Sequence, residues 1–166
     1  VGADGAGVFC MDVATGELLN HYMNNGDDDK SLSGNTVSDI CVDESGVVWI
    51  GTSTNGISYL DPEMPDVYRI RHERNNDNSL KSDHVNVMFQ DSEGDYWYGT
   101  NNGVSLYQPR SRKWTHYLDG TEYSGKVVLA LAEDSGGNIW VGGYGIGVYC
   151  IDKQTGRVQK KEKRNG

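Results

Sequence analysis

Short runs of alternating apolar and polar residues recur along the whole chain, and glycine-rich or acidic turns separate them. Examples are Gly56–Leu60 and Val67–Ile70. Alternation with a period of two is typical of β-strands that bury one face. No stretch of useful length has the 3.6-residue period of an amphipathic helix. The pattern therefore predicts an all-β chain.

The tripeptide Trp-hydrophobic-Gly occurs three times, with neighbouring copies 48 and 43 residues apart. The copies are Trp49-Ile50-Gly51, Trp97-Tyr98-Gly99 and Trp140-Val141-Gly142. An Asp-x-x-Gly turn precedes each Trp at the same offset, and its aspartates are Asp43, Asp91 and Asp134. A period of about 40–50 residues that contains several short strands is typical of β-propellers and related arrays.

One full repeat contains four predicted strands, here called a, b, c and d. In the second copy these are Thr36–Val42, Val47–Gly51, Gly56–Leu60 and Val67–Ile70. Four antiparallel strands in one repeat form a propeller blade.

A fourth copy is incomplete. Its strand c is Gly7-Val8-Phe9-Cys10-Met11, and the Trp is missing before Val1-Gly2. We therefore predict a partial, open β-propeller of about three and a half blades that forms one domain over 1–166. The repeats fall approximately at 1–33, 34–81, 82–124 and 125–166.

The loops between the predicted strands divide between two faces. In an up-and-down blade the a–b and c–d turns share one face, and the b–c and d–a connections share the other. The Asp-x-x-Gly turns are alike in every copy, which indicates a structural role. The long polar d–a loops and the short b–c loops vary, which is typical of a binding surface.

The net charge is −9, from 24 acidic and 15 basic residues. Such a surface repels phosphate backbones, so we expect no nucleic-acid partner. No apolar run approaches the roughly 20 residues of a membrane span, so we expect no direct membrane contact. The chain begins inside a repeat and without Met, so we interpret it as an excerpt of a longer protein.

Three cysteines, Cys10, Cys41 and Cys150, lack the spacing of a metal site or of a redox motif, and we interpret them as buried free thiols. The acidic loop Asp27-Asp28-Asp29 lacks the spacing of an EF-hand. We interpret it as a solvated loop, and we expect neither a metal nor a cofactor.

The repeated positions are interpreted as structural. The three Trp are predicted to wedge between blades, and the aspartates to cap their turns through the backbone. These structural positions are Trp49, Trp97, Trp140, Gly51, Gly99, Gly142, Asp43, Asp91 and Asp134.

Residues outside the repeat pattern are the candidates for ligand binding. Tyr144 is predicted to lie in a b–c loop, where the other copies have Asp4, Asn55 and Asn102 nearby. Tyr123 lies in the short d–a loop. An exposed Tyr offers a flat apolar face to the C–H groups of a sugar, and neighbouring oxygens pair with its hydroxyls. Loop packing is the alternative interpretation of these residues.

No nucleophile motif or paired catalytic histidine is present. His84 or His116 with Glu122 is the only candidate acid–base set on the loop face. A propeller enzyme, such as a lyase or a glycan-cleaving enzyme, is therefore the weakest hypothesis, and we expect this chain not to be an enzyme.

The repeat resembles the two-component regulator propeller repeat, and the match covers nearly the whole chain. The matching motifs are Asn78-Ser79-Leu80, His84-Val85, Asp91, Gly94, Trp97-Tyr98-Gly99-Thr100 and Gly103-Val104. The loop 72–80 also matches, with Arg74 and Asp77 where the family often has Pro.

The resemblance implies the periplasmic sensor region of a hybrid two-component system of gut bacteria, whose parent is a histidine kinase. Such regions typically contain two seven-bladed propellers, and many of these systems sense oligosaccharides. The expected role is non-catalytic recognition, with an oligosaccharide as ligand. A protein-interaction scaffold is the alternative, through self-association of the open edges or contact with other parent domains. Signalling output would lie outside these residues.

Overall fold

The computed structural model describes residues 1–64, 66–120, 122 and 126–161. They form four antiparallel β-sheets whose strands follow chain order, and they contain no α-helix. The predicted all-β propeller with about three and a half blades is confirmed, because three sheets have four strands and the first has three.

The strands are as follows. Blade 1 contains β1 (Gly2–Ala3), β2 (Gly7–Met11) and β3 (Leu18–Tyr22). Blade 2 contains β4 (Val37–Val42), β5 (Val48–Thr52), β6 (Ile57–Leu60) and β7 (Val67–Ile70). Blade 3 contains β8 (Val85–Gln90), β9 (Tyr96–Thr100), β10 (Gly103–Gln108) and β11 (Lys113–Tyr117). Blade 4 contains β12 (Val127–Glu133), β13 (Ile139–Tyr144), β14 (Gly147–Ile151) and β15 (Val158–Lys161).

The blades pack side by side through their first strands. Strand β1 contacts β4, β4 contacts β8, and β8 contacts β12. These strands therefore form the inner side of an arc, while β3, β7, β11 and β15 lie at the outer edge of their sheets. The apolar faces of neighbouring sheets bury each other, so the hydrophobic core is divided into three clusters, one for each blade interface.

The glycine of the Trp-x-Gly motif makes room for the next blade. A Cβ on Gly99 would lie 2.6 Å from Val128 Cγ1 of blade 4, and one on Gly51 would lie 3.0 Å from Val85 Cγ1 of blade 3. At Gly142 the nearest atom would be 3.8 Å away. Contact with a following blade therefore accounts for the first two glycines, and the corresponding space beside Gly142 is open.

The aspartate of each Asp-x-x-Gly turn binds both its own turn and the motif Trp. Asp91 Oδ1 accepts from the backbone amides of Glu93 and Asp95, at 2.9 and 3.0 Å. Its Oδ2 accepts from Trp97 Nε1 at 2.7 Å. The same indole bond joins Trp49 to Asp43 at 2.9 Å and Trp140 to Asp134 at 2.8 Å. One side chain thus fixes the turn and orients the indole.

In blades 2 and 3 a side chain of the following blade also donates a hydrogen bond to this aspartate carboxylate. Tyr96 donates to Asp43 Oδ2 at 2.5 Å, and Lys153 donates to Asp91 Oδ2 at 3.0 Å. No such donor reaches Asp134 in the described part of the chain. The outer face of blade 4 is correspondingly open, with Trp140 37% exposed and Trp97 fully buried.

The hydroxyl of Tyr98 is buried at the interface of blades 2 and 3 and has no hydrogen-bond partner among the described residues. Burial raises the pKa of this phenol well above its ordinary value. Replacing Tyr98 by Phe removes an unsatisfied polar atom, so we expect unfolding free energy to rise by about 1 kcal/mol. The check is equilibrium denaturation in urea.

Tyr96 provides the matched control, because its hydroxyl donates to the Asp43 carboxylate. Tyr96→Phe is expected to lower the unfolding free energy by about 1.5–3 kcal/mol, the range for a hydrogen bond to a charged group. A loss for Tyr98→Phe as large as that for Tyr96→Phe would contradict this interpretation of Tyr98.

Candidate functional site

The b–c and d–a connections share one face of the arc, which we call the loop face. Gly56 N at the end of a b–c loop donates to Asp83 O of the following d–a loop at 2.8 Å. The other connections meet on the opposite face, where Lys153 of a c–d turn contacts Asp91 of an a–b turn. The division of loops predicted from the sequence is therefore confirmed.

A threonine shapes two of the b–c loops. Thr52 Oγ1 donates to Gly56 O at 2.8 Å and accepts from Asn55 N at 3.0 Å. Thr100 Oγ1 makes the same two bonds in blade 3, with Gly103 O and Asn102 N. Gly103 has φ 80°, and a Cβ there would lie 2.4 Å from Tyr117 O, so the tight loop needs glycine.

The four described candidate residues lie on separate blades. Asp4 and Asn102 are exposed and Asn55 is half-buried. Asn55 Oδ1 accepts from Thr54 Oγ1 at 2.6 Å. The side chain of Tyr144 is 74% exposed, so its ring is accessible to a ligand. The structure places all four on the loop face but shows no contact among them within the described residues.

The predicted position of Tyr144 in a loop is wrong. Tyr144 is the last residue of β13 and pairs with Val127 of β12, one residue pair beyond the point where the equivalent pairings of blades 2 and 3 end. The b–c turn of blade 4 is correspondingly short. The other predicted residue, Tyr123, lies outside the described residues.

The long d–a loops are held by their own polar groups. In the first, Ser31 Oγ donates to Asn25 O and Asp28 O, and in the second Ser79 Oγ donates to Asn76 O at 2.8 Å. Asp28 Oδ1 accepts from Lys30 N at 2.9 Å. Among the described residues no group of three or more His, Cys, Asp or Glu side chains could hold a metal ion.

A buried ion cluster lies on the face opposite the loops. Lys153 Nζ is 3.0 Å from Asp91 Oδ2 and 2.9 Å from Glu133 Oε1, and its side chain is only 10% exposed. Glu93 adds a longer contact at 3.7 Å. The cluster joins blades 3 and 4, and its geometry indicates a structural role.

The pKa values of Asp91, Glu133 and Lys153 are shifted towards the charged forms. Burial alone would raise the pKa of Asp91, but hydrogen bonds from Trp97 and Lys153 outweigh it and hold the pKa below its ordinary value. The same balance lowers the pKa of Glu133 and raises that of Lys153.

The candidate acid–base set is not assembled. His116 is occupied at both ring nitrogens, by Ser105 Oγ at 3.2 Å and Asp77 O at 3.0 Å. No hydrogen bond or ion pair joins Glu122 to either His84 or His116 in the described part of the chain. The arrangement of these three residues offers no support for acid–base chemistry.

The three cysteines are free thiols, but they are not all buried. Cys41 and Cys150 are half-buried, and burial raises the pKa of the Cys41 thiol. The expectation of burial is wrong for Cys10, which is exposed and lines the cavity between blades 1 and 2.

Two of the cavities that open between blades are lined largely by apolar and aromatic side chains. One, of about 530 Å³, lies between blades 1 and 2 and is lined by residues that include Cys10 and Val48. In the next interface the equivalents of Cys10 and Val48, which are Tyr59 and Tyr96, contact the motif Trp49. The other, of about 310 Å³, lies between blades 2 and 3 and is lined mainly by aromatic side chains. None of the four loop-face candidates lines either cavity.

Comparison of the sequence with protein families gives three matches to the two component regulator propeller model, at residues 31–54, 79–102 and 122–145. Each match runs from the end of a d–a loop to the end of strand b or the loop that follows it. The family resemblance expected from the motifs is confirmed. No curated protein sequence matches the chain.

Solved structures with the same fold include two extracellular domains from B. thetaiotaomicron. The domain of the putative hybrid two component system BT3049 is 22% identical, with a TM-score of 0.74, over 93% of this chain and 20% of that one. The domain of the putative one component system BT4673 is 19% identical, with a TM-score of 0.75, over 95% and 20%. The present chain thus spans about a fifth of their length.

An enzyme also shares the fold. Virginiamycin B lyase from Staphylococcus aureus is 20% identical, with a TM-score of 0.61, over 78% of this chain and 42% of the lyase. Identities at this level establish the propeller fold and nothing more specific. Among the described residues no helix is long and apolar enough to cross a bilayer.

Proposed function

We propose that this chain, whose three matched segments are two component regulator propeller repeats, is a non-catalytic part of the sensor region of a hybrid two-component signalling protein. The observation that carries the proposal is the combination of those repeats with a fold found in the extracellular domain of such a system. The parent would supply the remaining blades and the histidine kinase. Its propeller region would lie in the periplasm.

The proposed ligand is an oligosaccharide. Support comes from the surface chemistry of the loop face, where the exposed ring of Tyr144 and the polar groups of Asp4, Asn55 and Asn102 offer stacking and hydrogen bonds. Tyr123 belongs to the same proposal from its place in the sequence. A ligand bound more tightly by one arrangement of the parent would bias the kinase towards that state.

Titration of the chain with oligosaccharides, followed by calorimetry, tests the loop-face assignment. Tyr144→Ala and Tyr123→Ala are each expected to weaken binding by about tenfold, the effect of losing roughly 1.4 kcal/mol of stacking. Val13→Ala is the matched control, because Val13 is fully exposed in a c–d turn on the opposite face. Binding unchanged in both tyrosine variants would remove the loop-face assignment.

An interaction scaffold is the second candidate, and the open face of blade 4 favours it. Trp140, Leu129 and Val148 are exposed there, and at the two preceding interfaces a neighbouring blade covers the motif Trp. A further blade of the parent, another copy or another domain would bury this apolar surface. The same titration separates the candidates, because a pure scaffold binds no oligosaccharide.

A further inference from the structure

Six side chains form the middle and outer part of each blade interface, and strand register defines them. One blade contributes the motif Trp, its cross-strand partner in strand c and the partner of that residue in strand d. The next blade contributes the residue before its own Trp, the cross-strand partner of that residue in strand c and the partner of this second residue in strand d. The same six positions can therefore be compared between interfaces.

The interface between blades 2 and 3 departs from the others at these positions. All six of its residues are aromatic: Trp49, Tyr59 and Tyr68 from blade 2, and Tyr96, Tyr107 and Trp114 from blade 3. Between blades 3 and 4 the equivalents are Trp97, Leu106, Thr115, Ile139, Ile151 and Val158. Since one aromatic residue suffices at the same six positions of that interface, packing alone does not account for six.

The aromatic side chains form two rows that meet at their inner ends. In blade 2 the ring of Tyr59 lies 4.9 Å from those of Trp49 and Tyr68, centroid to centroid. In blade 3 Tyr107 lies 4.9 Å from Trp114. Trp49 and Tyr96 join the rows at 4.4 Å. The cavity of about 310 Å³ lies between the rows and is open to solvent; we call it the aromatic cleft.

Polar groups at the cleft are available for a ligand. Tyr59, Tyr68 and Tyr107 are half-buried, and the hydroxyls of Tyr59 and Tyr107 make no hydrogen bond to any described residue. Tyr68 donates only to the weak acceptor Met64 Sδ. Flat apolar faces beside free hydroxyls match the C–H faces and hydroxyl groups of a sugar ring.

The charge of the site selects against anionic ligands. Arg69 is the cation at the cleft, but its guanidinium already donates to backbone carbonyls of Asp28, Ser31 and Leu32. It also pairs with Asp29 at 3.5 Å. The donors of Arg69 are engaged and the chain as a whole carries a net charge of −9, so among the described residues that line the cleft there is no free cation for a uronate, a sulfate or a phosphate.

We propose that the aromatic cleft between blades 2 and 3 binds an uncharged saccharide, stacked between the tyrosine and tryptophan rings and hydrogen-bonded to the hydroxyls of Tyr59 and Tyr107. Its volume is at the lower end of the roughly 300–1,000 Å³ range of ligand pockets, which suits one or two sugar rings. This inference rests on the proposed function for its ligand class, but it places the contact outside the loop face.

The test titrates the full chain with neutral gluco-, manno-, galacto- and xylo-oligosaccharides, with polygalacturonate fragments and with a proline-rich peptide. The key variant combines Tyr59→Leu with Tyr107→Ile, since Leu106 and Ile151 occupy those positions in the next interface. It is expected to weaken neutral-saccharide binding by at least about tenfold while the chain stays folded. Val13→Ala, at a fully exposed position of a c–d turn, is the control and is expected to leave saccharide binding unchanged.

Indole N–H signals in a ¹H–¹⁵N spectrum give a second readout on the unaltered chain. Saccharide is expected to shift the indole N–H signals of Trp49 and Trp114 and to leave the signals of Trp97 and Trp140 unchanged. Saccharide binding without a shift of the Trp49 and Trp114 signals would contradict the cleft as the binding site. Binding that is lost only in Tyr144→Ala would contradict it too. Either result would leave the proposed function standing. Absence of any saccharide binding would overturn both. Preference for polygalacturonate or for the peptide would overturn the ligand assignment.

Discussion

Replacing Trp97 by alanine is expected to destabilise the fold by about 3–5 kcal/mol, the range for removing a large buried aromatic side chain. Trp97 is fully buried between blades 3 and 4 and packs in one cluster with Leu106 and Val141. Its loss would open a cavity at that interface and leave Asp91 without the indole donor. Urea denaturation followed by far-UV circular dichroism measures the change in unfolding free energy.

Trp140 is the matched control because it holds the same repeat position and makes the same bond, to Asp134. It is 37% exposed on the open face of blade 4, so Trp140→Ala is expected to cost about 1–2 kcal/mol. Equal losses of unfolding free energy in the two variants would contradict the exposure of Trp140 on the outer face of blade 4. They would indicate that another surface covers Trp140 in solution, and the Trp140 loss would then depend on protein concentration.

The strands could be predicted from the sequence because their signals are local and repeated. Alternation with a period of two located β7 at its observed bounds, Val67–Ile70, and β12 at Val127–Glu133. Where the prediction was wrong, a local pairing detail decided the outcome. The additional pair Val127–Tyr144 at the end of β13, which carries Tyr144 into the strand, has no signal in the alternation of apolar residues.

The contacts between blades could not be predicted because they join residues far apart in the chain. The six aromatic residues of the cleft extend from Trp49 to Trp114 and become neighbours only when two sheets pack. Part of the information is present in the sequence, because the strand pairing predicted around each motif Trp identifies the same six positions in every interface. The missing information was which face of each sheet meets the next blade.

The hydrogen bond from each motif Trp to its aspartate was also missed. The constant offset between Asp and Trp was interpreted as turn capping alone, yet the second carboxylate oxygen binds the indole. Lys153 is a further case, since the c–d turns of the other blades have Val13, Pro62 and Pro109 at the same position. An interaction that occurs in one blade only produces no repeated pattern in the sequence.

Lys153→Ala is expected to cost about 3–5 kcal/mol at neutral pH, because it leaves two largely buried carboxylates without their cation. Asp91 has no exposed side-chain surface and Glu133 only 14%. Lys160→Ala is the control, an exposed lysine on the adjoining strand β15, where a change within about 0.5 kcal/mol is expected. Urea denaturation at pH 7 compares the two variants with the unaltered chain.

The effect of Lys153→Ala is expected to depend on pH with a definite sign. The pKa values of Asp91 and Glu133 lie below their ordinary values of 3.8 and 4.5, so their stabilisation is complete above those values and is lost as pH falls through the folded pKa. The pKa of Lys153 lies above 10.5, so its stabilisation is complete below that value and is lost as pH rises through the folded pKa.

The cluster therefore stabilises the fold between about pH 4.5 and pH 10.5. Below that window both carboxyls become protonated in the variant before they do in the unaltered chain, because the variant lacks the ammonium that lowers their pKa. The difference in unfolding free energy between the two proteins should therefore stay as it is at pH 7 down to about pH 4.5, and it should shrink as the pH falls from there towards 3. A difference that stays constant over this range would mean that the lysine stabilises blades 3 and 4 through the packing of its methylene groups and not through its charge.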